Sequence, residues 1–211
     1  MINCLFFGDS ITYGEYDGIS GGWTDILKRH FHFRFYNENI QELNVFNLGI
    51  GGETTDGLLK RFYTEAHART SPDENLIFFA YGANDVAFKN GQQMVDQETF
   101  LANLTEVIEQ AKKITSKLYI ISILPVASAI DGITVPSGKQ RSNQMITQYN
   151  TLLQQLSVQH EATYIDLCSL FFENKDAYLS RDGVHPNDKG YQFIAEQIKP
   201  IIEAVFIAEW E

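Results

Sequence analysis

The chain has 211 residues, 44% hydrophobic and 20% charged, the make-up of an ordinary soluble globular protein, which excludes disordered, fibrous and disulfide-scaffolded classes. Its 16 Lys and Arg against 27 Asp and Glu give a formal net charge of −11, so no general attraction to nucleic acid or anionic lipid is available, and nucleic acid is not an expected partner. No window approaches the roughly 20 apolar residues of a membrane span, and the apolar stretch 4–7 follows no basic segment and is too short for a signal-peptide core.

Along the chain, short apolar runs rich in β-branched and aromatic residues predict strands at 4–7, 45–48, 76–81, 118–123 and 163–165. Their continuous hydrophobicity, without alternation, is what strands of a parallel sheet show when helices cover both faces. Between them, apolar residues recur at helical spacing over 23–35, 55–68, 97–114, 146–160 and 191–206; Phe100, Leu101, Leu104, Val107, Ile108 and Ala111 form one such face. The alternation predicts an α/β fold with an open parallel sheet, right-handed crossovers and ligands beyond the carboxyl ends of the strands. No linker, repeat or low-complexity tract divides residues 1–211, so one domain is expected.

The longest irregular stretch, 124–141, contains Pro125, Gly132, Pro136 and Gly138 and is the expected substrate-contacting loop. Phe206, Ile207 and Trp210 form an apolar group expected to pack on the domain rather than on a partner; a monomer or small homo-oligomer is expected. Cys4 and Cys168 suggest neither a disulfide framework nor a metal cluster, which points to a reducing, cytoplasmic setting.

Four polar blocks follow predicted strands. Gly8-Asp9-Ser10 leaves the first strand, with Gly8 allowing a tight turn. Asn47-Leu48-Gly49-Ile50-Gly51-Gly52-Glu53-Thr54 and Tyr81-Gly82-Ala83-Asn84-Asp85 lie at the second and third. Asp182-Gly183-Val184-His185-Pro186-Asn187 lies between the last strand and the last helix. An acid three residues before a histidine can fold back in one turn and accept from Nδ1, leaving Nε2 free to take a serine proton. Pro186 pushes His185 away from helical geometry, and Asn187 is the expected N-cap of the final helix. Singly, each block is also an ordinary turn or cap.

Together these blocks, in this order from Gly8 to Asn187, resemble the SGNH hydrolases, the superfamily of the GDSL-type esterases and lipases. The resemblance implies a three-layer α/β/α, flavodoxin-like fold with a central five-stranded parallel sheet. It also implies a triad of nucleophile Ser10, base His185 and acid Asp182, and an oxyanion hole of the Ser10 and Gly52 N–H groups and the Asn84 side chain. Ile11 and Glu53 depart from the family pattern, which has leucine and often aspartate there. Gly52 is chosen over Gly49 and Gly51 by its place before Glu53-Thr54. A serine esterase cleaving small, short-acyl carboxylic esters without metal or organic cofactor is the expectation. An acyltransferase using the same triad and a catalytically silent carbohydrate or acyl-ligand binding module are the alternatives. A nucleotide-binding reading of Gly49-Ile50-Gly51-Gly52 lacks the glycine spacing and lysine of a phosphate loop. His30 and His32 lack metal-ligand companions, and His67 and His160 are expected to close helices.

Overall fold

The computed structural model describes residues 1–208, with side chains through Val205; Trp210 and the side chains of Phe206 and Ile207 lie outside the described residues. In chain order the strands are β1 (Ile2–Gly8), β2 (Leu43–Gly49), β3 (Glu74–Ala80), β4 (Phe88–Lys89), β5 (Gln92–Gln93), β6 (Leu118–Ile121), β7 (Lys139–Gln140) and β8 (Thr163–Ile165). The helices are α1 (Ser10–Tyr13), α2 (Trp23–Glu38), α3 (Thr55–His67), α4 (Gln97–Ala111), α5 (Asn143–Gln159), α6 (Leu167–Phe172), α7 (Lys175–Tyr178) and α8 (Asp188–Ala208).

The central sheet is parallel and five-stranded, in the order β2-β1-β3-β6-β8. All seven residues of β1 are buried because both faces of the sheet are covered. Alternation along the strands divides the core in two. Leu5, Phe7, Ile77 and Phe79 pack with α3, α4 and α5 residues such as Phe62, Phe100 and Tyr149. Cys4, Phe6, Leu76 and Phe78 pack with Trp23, Leu27 and Phe31 of α2 and with Tyr191, Ile194 and Ile198 of α8. Phe78 stacks between Phe6 and Tyr119, with ring centroids 4.4 Å apart on either side, tying three strands together. The three-layer α/β/α expectation is met.

The parallel register levels the strand ends. Gly8 of β1 stands beside Gly49 of β2 and Ala80 of β3, so the three strands finish together and their loops meet at one edge. The strand order also reverses around β1, which opens the crevice where such sheets place ligands.

Several boundaries differ from the sequence reading for local reasons. The strand expected over 118–123 stops at Ile121, because the N–H and C=O of Ile123 are taken by the Asn150 carboxamide. α5 begins three residues early, with the Ser142 hydroxyl accepting from the Met145 N–H. α8 also begins early, at Asp188, and Asn187 caps it as expected, accepting from the N–H groups of Lys189 and Gly190. The stretch 124–141 is not wholly irregular: it holds a 3-10 turn at Ser128–Ile130 and β7, which pairs with β4 in a small antiparallel sheet of order β5-β4-β7. That sheet, α1, α6 and α7 are too short to leave a periodic signal.

Candidate active site

Ser10 is the first residue of α1, a single turn directly beyond β1. Asp9 caps that turn by accepting from the Ile11 N–H at 2.9 Å. Gly8 is required by closeness: a Cβ there would stand 2.0 Å from Thr12 Oγ1. Ser10 is consequently fixed at the sheet edge and only 6% exposed.

The loop between α7 and α8 brings the partners. Gly183 adopts φ +73° and turns the chain so that Asp182 faces His185. Asp182 Oδ2 lies 2.5 Å from His185 Nδ1, while Oδ1 accepts from the Val184 and His185 N–H groups and from the Ser180 hydroxyl. Partial burial works against charge on Asp182, but the hydrogen bonds from the His185 ring, Val184 and Ser180 outweigh it and hold the carboxyl well below its ordinary range. A carboxylate only accepts, so His185 Nδ1 carries the proton and Nε2 is left as an acceptor. Ser10 Oγ lies 2.7 Å from that Nε2. Tyr16 sets its ring edge-on to His185 at 5.0 Å, and the Glu15 carboxylate stands 3.8 Å from Nε2.

The third wall comes from the loops after β2 and β3. Gly51 and Gly52 border the cleft, whereas Gly49 is packed so tightly that a Cβ on it would stand 2.2 Å from the Tyr13 nitrogen. The N–H groups of Ser10 and Gly52 have no hydrogen-bond partner among the described residues. Asn84 is buried, and its Nδ2 donates to the Glu53 carbonyl at 3.0 Å and weakly to Asp9 at 3.4 Å. Its Oδ1 receives Lys139 Nζ at 2.8 Å and Arg141 Nη2 at 3.2 Å. Two cations that only donate fix which end of the carboxamide is oxygen. Glu53 has a structural role, clamped by Arg61 and by the Tyr81 hydroxyl, so its extra methylene relative to aspartate reaches across to that pair.

Ser10, Gly52, Asn84, Asp182 and His185 therefore line one cleft of ≈ 700 Å³, together with Ile130, Val135, Pro136, Ser137, Lys139 and Arg141 from the 124–141 stretch. The arrangement places a hydroxyl against a basic imidazole nitrogen, with N–H donors and a carboxamide nearby, the parts needed to attack a carbonyl and hold the resulting oxyanion. Sequence reasoning did not single out Glu15, Tyr16, Ser180, Lys139 or Arg141.

The remaining histidines lie elsewhere. His30 pairs with Glu203, His160 with Glu109, and His67 closes α3 with Nδ1 on the Tyr63 carbonyl. Both cysteines are free, and among the described residues no three His, Cys, Asp or Glu side chains converge as metal ligands. Among the described residues no helix is long and apolar enough to cross a membrane.

A model of the GDSL-like lipase/acylhydrolase family matches residues 6–193. The chain is 28% identical over 212 residues to a human protein described as isoamyl acetate-hydrolyzing esterase 1 homolog, covering 94% of this chain and 80% of that one. A lipase/acylhydrolase from Enterococcus faecalis superposes with a TM-score of 0.75 at 29% identity, covering 97% of this chain and 96% of the other. An acetyl xylan esterase from Geobacillus stearothermophilus shares the fold, with a TM-score of 0.69 at 20% identity over 93% and 92% of the two chains.

Proposed function

The chain belongs to the GDSL-like lipase/acylhydrolase family of hydrolases, and we propose that it is a serine esterase that cleaves small, short-acyl carboxylic esters through an acyl-enzyme. The observation that carries this reading is the continuous contact from Ser10 Oγ to His185 Nε2, 2.7 Å, and from His185 Nδ1 to Asp182, 2.5 Å. His185 removes the Ser10 proton as Oγ attacks the ester carbonyl, and then protonates the departing alcohol. It next activates a water that releases the acid, while Asp182 orients the ring and stabilises the imidazolium. The oxyanion is held by the free N–H groups of Ser10 and Gly52 and by Asn84, whose weaker contact to Asp9 leaves one N–H to be redirected.

The similarity to the human isoamyl acetate-hydrolyzing esterase 1 homolog supports a small ester with a short acyl group. One hydrolase domain over residues 1–211 and a reducing compartment, in keeping with the free cysteines, belong to the same reading.

The experiment is hydrolysis of p-nitrophenyl esters from acetate to palmitate by wild type and Ser10→Ala, both checked for folding. Fastest turnover on the shortest chains, with kcat lowered by roughly 10⁵ to 10⁶ in the variant, is expected. Equal turnover by the folded variant overturns the role of Ser10.

A further inference from the structure

In a chain of net charge −11, two cations, Lys139 and Arg141, line one wall of the Ser10 cleft and a third, Lys89, stands beside Lys139 outside it; none has a carboxylate within ion-pair distance among the described residues. Lys139 of β7 and Lys89 of β4 stand directly opposite each other in the antiparallel pair. Like charges so placed repel. Arg141 follows two residues later, 8% exposed, with Nε on the Ala83 carbonyl at 2.6 Å and Nη2 on Asn84 Oδ1. The partners of Lys139 and Arg141 are thus neutral oxygens, and burying a cation on neutral partners is costly.

Burial, then repulsion from Arg141 and Lys89, holds the Lys139 ammonium below its ordinary range, with only Asp9 opposing. Asp9 and Asp182 also attract Arg141 from a distance. Asp182 is engaged by His185, and burial pushes the Asp9 carboxyl up to about 6. Fixing the Asn84 carboxamide does not call for charge, since a neutral amide donor could hold Oδ1. The positive charge is in excess of that task. On the other side, Glu15 stands beside His185, so the cleft is polarised, basic at Lys139 and acidic at Glu15.

We propose that this basic wall, with Lys139 at its front and Arg141 and Lys89 reinforcing it, binds an anionic group on the substrate, a carboxylate or phosphate, so that the preferred substrates are charged esters. The inference rests on the esterase reading and names its substrate class. Lys139 is a specificity-determining residue here: a charge-assisted contact in a partly desolvated site favours the ester that carries the anion over its neutral counterpart.

Two matched pairs test it. 4-Acetoxybenzoate and its methyl ester put the charge on the alcohol side; mono-4-nitrophenyl adipate and its methyl ester put it on the acyl side. Wild type is expected to show kcat/KM at least about 10-fold higher for the charged member of one pair, falling as ionic strength rises from about 0.01 to about 0.5 M. In Lys139→Gln, which keeps an N–H donor for Asn84, that ratio is expected to fall to about one, mainly through KM; the ratio cancels any loss of Asn84 positioning common to both esters. Lys89→Gln, on the exposed hairpin, is expected to lower it about 2-fold and gives a second reading should Lys139→Gln fail to fold. A wild-type ratio of one or less in both pairs, or a ratio that survives in folded Lys139→Gln, overturns the anion site. Ser10-dependent turnover of neutral esters with no charge preference breaks this inference alone; absence of Ser10-dependent turnover on every ester breaks the esterase reading with it.

Discussion

Two carboxylates, Asp182 and Asp9, lie close to His185 and Ser10, and the regions that carry them differ instructively. Asp182 sits in a half-exposed loop, accepts four hydrogen bonds and is held ionised. Asp9 sits 2% exposed beneath Ser10, where burial outweighs the Ile11 N–H and the pull of His185 and lifts its carboxyl to about 6. Both act electrostatically on the same histidine. Only Asp182 touches the ring, and only Asp182 has enough donors to hold its carboxyl below the ordinary range once solvent is partly removed. What makes a carboxylate the partner of His185 is the set of hydrogen bonds its loop supplies, and nearness to the serine does not substitute for it.

The sharpest way to break that comparison is to neutralise each acid in turn. Asp182→Asn should lower kcat by about 10⁴, because the amide favours the wrong tautomer of His185. A loss below tenfold in steady-state assays would remove Asp182 from the triad. Asn84→Ala should cost roughly 10² to 10³ in kcat with the fold intact, and a fully active folded variant would reject its place at the oxyanion.

Ser180→Ala, which removes one of the four donors to Asp182, should lower kcat less, by about 3- to 10-fold. A loss as large as that of Asp182→Asn would mean that the Ser180 hydroxyl, rather than the set of donors, controls the acid.

Asp9→Asn should have the smallest effect on turnover, within about tenfold, because residue 9 does not contact the ring; its signature lies in stability. The folded carboxyl titrates near 6 against an ordinary 3.8, so the native state keeps a proton that the unfolded chain has released between those values. The stabilisation is present below pH 3.8 and is lost as pH rises through about 6. The displacement corresponds to about 3 kcal/mol. Asp85, also lifted to about 6 by burial, has the same sign, whereas Asp182, held low, stabilises above 3.8 and loses that as pH falls. Urea midpoints between pH 4 and 7 should therefore decline more steeply for wild type than for Asp9→Asn. An unchanged slope would show that Asp9 is not held as a neutral acid.

Most of the site was legible because its chemistry depends on residue identity and short spacing. Asp182 and His185 are three residues apart, and a single turn at Gly183 is enough to join them. Ser10, Gly52 and Asn84 each follow a strand that an apolar run betrays, and the parallel register then levels the strand ends and gathers their loops. Residues whose position depends on long-range pairing stayed silent. Lys139 and Arg141 face Asn84 only because a two-residue strand pairs with another some 50 positions earlier, too short for any period to show. Tyr16 and Glu15 reach His185 across 169 and 170 positions.

By itself, then, the sequence determined the layering, through apolar runs that must be covered on both faces, and the residues proposed as nucleophile, base and acid, through residue types found in order after strands. The tertiary structure alone decided which carboxyl is held low and which is lifted, which end of the Asn84 carboxamide faces the cations and where positive charge collects. Those depend on burial and on the distance between groups far apart in the chain, and electrostatic energy is set by those two quantities.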